Sequence, residues 1–152
     1  MNPNGNKEEL AAALAFAQGE RLGVLATASG DGVSEAALMG VAVTDDFAVI
    51  FDTLKTTRKY PNLMANPRVA LVIGCSGAVS LQFEGIAEEL AGETLDRHLE
   101  VYFAAFPDGR DRQKWQGITY FVIRPVWLRY SDYRQPPPRI REFTFDDRGC
   151  LL

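Results

Sequence analysis

Between residues 78 and 90, Val79, Leu81 and Phe83 alternate with Ser80, Gln82 and Glu84. Successive strand side chains point to opposite faces, so this run belongs in a sheet with one apolar and one polar face. Such a sheet is characteristic of antiparallel hairpins, whereas the strands of a parallel α/β sheet are apolar on both faces. Much of the chain fits hairpins. Leu22–Ala28 reads as a first strand, and Ser29-Gly30-Asp31-Gly32 as a tight turn. Residues 33–44 read as one long second strand rich in small side chains, with Gly40 inside it. A glycine there weakens the strand unless something approaches its backbone closely. Asp45-Asp46 turns the chain into a third strand, 47–52. Arg68–Ile73, a fourth, has apolar residues on both faces and is expected to be covered on both sides. A sixth strand is expected over 118–130, with Pro125 as a candidate break, and a last one over 140–145.

Helical signals interrupt these strands rather than alternating with them. Asn6 followed by Glu9 matches a capping box, opening a helix that runs to about Gln18 and ends at Gly19. Leu95, Leu99, Tyr102, Phe103 and Phe106 recur at helical spacing across 92–106. Residues 107–117 read as a polar loop, and Gln135-Pro136-Pro137-Pro138 as an extended spacer. The expected fold is mainly β with peripheral helices, an antiparallel β-barrel. No glycine-rich strand-to-helix turn of the dinucleotide-binding kind is present. At 152 residues a single domain is expected over 1–152, with an N-terminal helix in 1–20 and a proline-rich tail at 134–152. A net charge of −4 argues against general nucleic-acid binding. No apolar run approaches membrane-spanning length, and 1–10 lacks an export-signal pattern, so a cytoplasmic protein is expected. Cys75 and Cys150 have no metal-ligand spacing, and no metal site is expected. His98, the lone histidine, reads as a surface or packed residue, although a single axial haem contact remains open.

The chemistry concentrates between the third and fourth strands, where Thr53, Lys55, Thr56, Thr57, Arg58 and Lys59 follow one another. Tyr60 precedes a proline and is biased away from helix, so Pro61 is expected as the first helical residue. The basic pair then stands just ahead of a helix N-terminus, which favours an anion. Arginine offers a planar fork, lysine a point charge and threonine a short hydroxyl, a donor set suited to a phosphate monoester.

Thr53, then Thr57-Arg58-Lys59, Asn62-Leu63 and Asn66-Pro67-Arg68-Val69, resembles the signature of the pyridoxamine 5′-phosphate oxidase-like flavoproteins. The similarity extends more weakly from about Gly23 to about Ser131. It implies a split β-barrel of the FMN-binding type and a homodimer with flavin at the subunit interface. Thr53, Thr57, Arg58 and Lys59 would hold the FMN phosphate. The second strand near 36–41, including Ala37 and Met39, would meet the ring edge, and Gln82 would face the flavin. The implied activity is hydride transfer between flavin and a small organic substrate of unknown identity, with no catalytic side chain assigned. Alternatives on the same fold are a non-catalytic flavin or haem protein and a reductase using the deazaflavin F420.

The chain also departs from the oxidase itself. Residues 35–43 lack the Arg and Lys, five residues apart, that add phosphate contacts there. The family's glutamine on the fifth strand would fall at Ser80. The tail holds Arg139, Arg141 and Arg148 but no Trp, so pyridoxamine phosphate is not the expected substrate. Trp127 and Arg129 share a face that either meets a partner's flavin or packs.

Overall fold

The computed structural model describes residues 3–152. The elements run α1 (Pro3–Gly19), β1 (Leu22–Ala28), β2 (Ser34–Gly40), β3 (Ala42–Val43), β4 (Val49–Leu54), α2 (Lys59–Ala65), β5 (Arg68–Ile73), β6 (Val79–Glu89), α3 (Gly92–Ala105), α4 (Gly109–Arg112), β7 (Ile118–Asp132) and β8 (Arg139–Thr144). The strands pair antiparallel in the order β2-β1-β5-β6-β7-β4-β3, with β8 added beside β7. The fold is a split barrel. The sheet curls so that β2, its free edge, comes into contact with β4 without joining it in a ladder.

The split originates at Val41. Residues 34–40 pair with β1, and Ala42-Val43 then pair with β4, so the expected single second strand changes partner midway. Val41 N–H still donates to Arg21 O at 3.0 Å, the next step of the β1–β2 register, before the chain crosses to β4. Gly40 beside the break has the close neighbour its sequence position suggested. A Cβ there would lie 3.1 Å from the Phe106 ring at the end of α3.

One core fills the barrel, with Leu25, Phe51, Leu71, Leu81, Phe83, Phe121 and Leu128 among its buried members. Phe51 and Phe121, opposite each other on β4 and β7, stack at 5.5 Å. A second cluster lies under α3, where Leu99, Tyr102 and Phe103 cover Ile50, Tyr120 and Val122. This is the apolar stripe at helical spacing doing its expected burial.

Several expectations need correction. The first helix begins at Pro3, so Asn6 lies inside it and caps nothing. The third strand starts at Val49 because Thr44 to Phe47 form the turn, with Phe47 at a φ of 64°. Residues 107–117 contain the short helix α4. Pro125 does not break β7. The strand carries a bulge there instead, with Gly85 opposite Pro125 and Val126 as the extra residue. A Cβ on Gly85 would lie 2.4 Å from Arg124 O, so the bulge admits only glycine. Arg68–Ile73 is covered on one face alone. Val69, Leu71 and Ile73 are buried, while Arg68, Ala70 and Val72 face outward. Finally, α2 starts at Lys59 with Arg58 in the cap position, two residues earlier than the proline suggested. Pro61 sits within the first turn, where a missing N–H leaves no helical bond unmade.

Candidate functional site

The loop between β4 and α2 lies at the split. From it, α2 bridges the two sides, burying Lys59, Asn62 and Leu63. Asn62 Nδ2 donates to Thr27 Oγ1 on β1 and to Glu35 Oε2 on β2, both at 3.1 Å. These bonds anchor the helix across the sheet edge that does not close.

The four residues assigned to phosphate binding come together at the head of α2. Thr53, at the end of β4, is buried, and its hydroxyl lies 3.0 Å from that of Thr57. Thr57 also donates to Leu54 O at 2.9 Å, which turns the loop back on itself. Arg58 is exposed and Lys59 only 9 % exposed. Among the described residues neither cation has a carboxylate partner, although Lys55 close by is paired. Two unneutralised cations beside two hydroxyls make a donor set that fits a phosphate monoester. The two carboxylates linked to this helix, Glu35 and Glu89, are engaged by Asn62 and Tyr60.

The remaining sequence candidates divide between two faces. Ala37 and Met39 point into the barrel, Ala37 opposite buried Leu25 and Met39 against the core. Their backbone lies on the free edge strand. Gln82 is exposed on the outer face, in a row that runs Leu38, Val24, Val72, Gln82, Arg129 across five strands. It does not reach the loop within one protomer. Trp127, opposite Glu84, shares this outer face with Arg129, which pairs with Glu142 at 3.8 Å. Arg141 is held by Glu9 of α1 at 2.6 Å. His98 Nδ1 lies 2.6 Å from Thr94 O within α3.

Two polar networks that sequence reasoning missed brace the loop. On the outer side, Arg112 of α4 donates to Asp52 at 3.0 Å and to Tyr102 at 3.2 Å. Burial pushes the phenols of Tyr102 and Tyr120 upward, so both stay neutral; Tyr102 accepts from Arg112, and the buried Tyr120 hydroxyl has no partner among the described residues. On the inner side, Glu89 accepts from Thr119 at 2.6 Å and from Tyr60 at 3.2 Å. Lys55, Glu89, Thr119 and Tyr120 line a cleft of about 500 Å3 together with Leu90, Leu95 and Ile118. The only available signal was polarity at strand ends, which most often means solvent.

An antiparallel split barrel, its gap bridged by a helix headed by Thr57-Arg58-Lys59, defines the class of protein at hand. The profile of the family described as pyridoxamine 5′-phosphate oxidase matches residues 9–132, and the chain belongs to that family. Among solved structures, a heme binding protein from Mycobacterium smegmatis superposes with a TM-score of 0.74 at 19% identity, over 88% of this chain and 57% of that one. This chain therefore spans little more than half the length of the mycobacterial protein. A pyridoxamine 5′-phosphate oxidase-related, FMN binding protein from Nostoc punctiforme gives 0.70 at 13% identity, over 100% and 95%. PhzG from Burkholderia lata, in complex with tetrahydrophenazine-1-carboxylic acid, gives 0.64 at 17% identity, over 98% and 90%. At these identities the likeness is one of fold. No curated protein matches the chain.

Proposed function

We propose that this chain is an FMN-dependent oxidoreductase, acting on a small organic substrate as a cytoplasmic homodimer. The observation that carries the reading is the pair of cations, Arg58 and Lys59, left without carboxylate partners among the described residues, beside the Thr53 and Thr57 hydroxyls. Arg58 would give its planar fork to two phosphate oxygens, Lys59 its charge, and the threonines short hydroxyl bonds. Bound FMN would supply the two-electron redox chemistry, so no nucleophile or general base is demanded of the protein. On the free edge strand, the backbone groups of Ala36, Leu38 and Gly40, which alternate with Ala37 and Met39, point away from β1 and would meet a ring edge. The FMN-binding Nostoc relative, matched over nearly both whole chains, supports the choice of cofactor.

The homodimer rests on the outer face. Val24, Ala26, Ala36, Leu38, Ala70, Val72 and Val126 make it apolar, with Leu38 62% exposed. An apolar sheet face of this extent calls for a cover, and a second copy supplies one by two-fold symmetry. Gln82, Trp127 and Arg129 lie on the same face and would meet the partner there. The exposed, unpaired thiols Cys75 and Cys150 fit a reducing compartment.

A second reading, a haem carrier without catalysis, is favoured by the mycobacterial likeness. The two part on one measurement, the visible spectrum of the purified protein with the mass of the released ligand. A flavin spectrum and the mass of FMN are expected. A haem Soret band or a deazaflavin mass would replace this reading.

A further inference from the structure

Resting on the phosphate-clamp reading, we infer that Glu89 is the positioning residue of that clamp. Its carboxylate gathers donors from three separate segments. Thr119 of β7 donates at 2.6 Å, the Tyr60 hydroxyl of α2 lies 3.2 and 3.4 Å from the two oxygens, and Lys55 Nζ of the loop stands at 3.6 Å. Lys55 and Tyr60 flank the Thr57-Arg58-Lys59 triplet on its two sides, and Lys55 Nζ also lies 5.7 Å from the Tyr60 ring centroid. One carboxylate thus pins both ends of the segment that carries the cations. The third donor ties that segment to the barrel, because Thr119 stands directly opposite Thr53 on the β4–β7 ladder. The glutamate contacts neither Arg58 nor Lys59, so it acts on an anion through where it holds them.

The same carboxylate sorts the cations by task. Glu89 neutralises Lys55 and leaves Arg58 and Lys59 free among the described residues. A half-buried carboxylate with three donors is costly to leave partly satisfied, so the loop has one preferred placement. Holding donors in place before the ligand arrives saves the ordering cost on binding.

The test is a double-mutant cycle on FMN affinity, by titration of the flavin-free full chain. Glu89→Ala is expected to weaken FMN on the order of tenfold, the scale of one net hydrogen bond to a charged group. Glu89→Gln, which keeps the length and one acceptor oxygen, should recover part of the loss. In an Arg58→Ala background, Glu89→Ala should add little, since its effect runs through the clamp. Wild-type affinity in Glu89→Ala, or full additivity with Arg58→Ala, overturns the positioning role. Wild-type affinity in Arg58→Ala itself overturns the clamp reading instead, whatever Glu89→Ala does. Circular dichroism of each variant separates loss of binding from loss of fold.

Discussion

Arg58 and Lys59 are adjacent in sequence but differ in environment, and the difference makes their replacements informative. Arg58→Ala should lower FMN affinity by about 2 kcal/mol or more, as expected for losing a charge-assisted bidentate partner. As a point charge, more easily replaced by water than a planar fork, Lys59 would on chemistry alone matter less. Its burial changes that expectation, because a largely buried lysine with no carboxylate partner among the described residues has little to compete with an arriving anion. Lys59→Met should therefore weaken FMN while leaving the flavin-free protein as stable as wild type or more so, read by titration and thermal melting. A lowered melting temperature with unchanged binding would show the lysine to be structural. The residues proposed as the clamp were legible as a cluster because they are local, with Thr53 near the end of β4 and Thr57, Arg58 and Lys59 following soon after. Their supports were not, because Asn62 finds Glu35 and Tyr60 finds Glu89 only once strands distant in the chain are side by side.

Elements were legible where periodicity was strong, as in β6 and α3, and misjudged where two local rules competed. At α2 the bias of a residue before proline lost to the gain of burying Leu63 and of seating Asn62 on Thr27 and Glu35. At β7 the tolerance of a bulge beside Gly85 absorbed Pro125. The far end of β7 carries a testable device of its own. Asp132 accepts from the Arg134 backbone N–H at 3.0 Å and from its guanidinium at 2.6 and 2.9 Å. The guanidinium hydrogen bonds hold the carboxyl at about 2, below its ordinary 3.8. A depressed carboxyl stabilises the fold fully above its unfolded value and loses that contribution as pH falls through the folded one. The acid limb of stability between about pH 4 and pH 2 should therefore be shallower in Asp132→Asn, by thermal melts across that window. Identical limbs would remove Asp132 from the account.

At the scale of the molecule, one face was misassigned from sequence. Ala70 and Val72 read as doubly covered, yet the protomer leaves them outward. The proposed homodimer would cover them. Sedimentation should then show a dimer at low concentration, and Leu38→Lys with Val72→Lys should give a folded monomer with weakened FMN binding. A wild-type monomer that holds flavin at full occupancy would remove the interface from the site. Substrate choice belongs to this scale as well. Negligible turnover of pyridoxamine or pyridoxine 5′-phosphate is expected, since no terminal Arg/Trp motif is present and Arg141 is engaged by Glu9. Hydrogen peroxide release at rates typical of an enzyme on its own substrate, abolished in the Arg139/Arg141 double alanine variant, would reverse that expectation.

The place of β7 has a consequence for how the chain is made. It pairs with β6, β4 and β8, yet apart from β8 it is the last of these strands to leave the ribosome. Until it emerges, β4 and the distal edge of β6 wait as bare ladders, ready to pair with another nascent chain. Closure is thus a late event dominated by long-range pairing, and β-rich topologies of that kind fold slowly. Synthesis speed and chaperone access before β7 appears, rather than the stability of the finished barrel, should limit the yield of this protein in a cell.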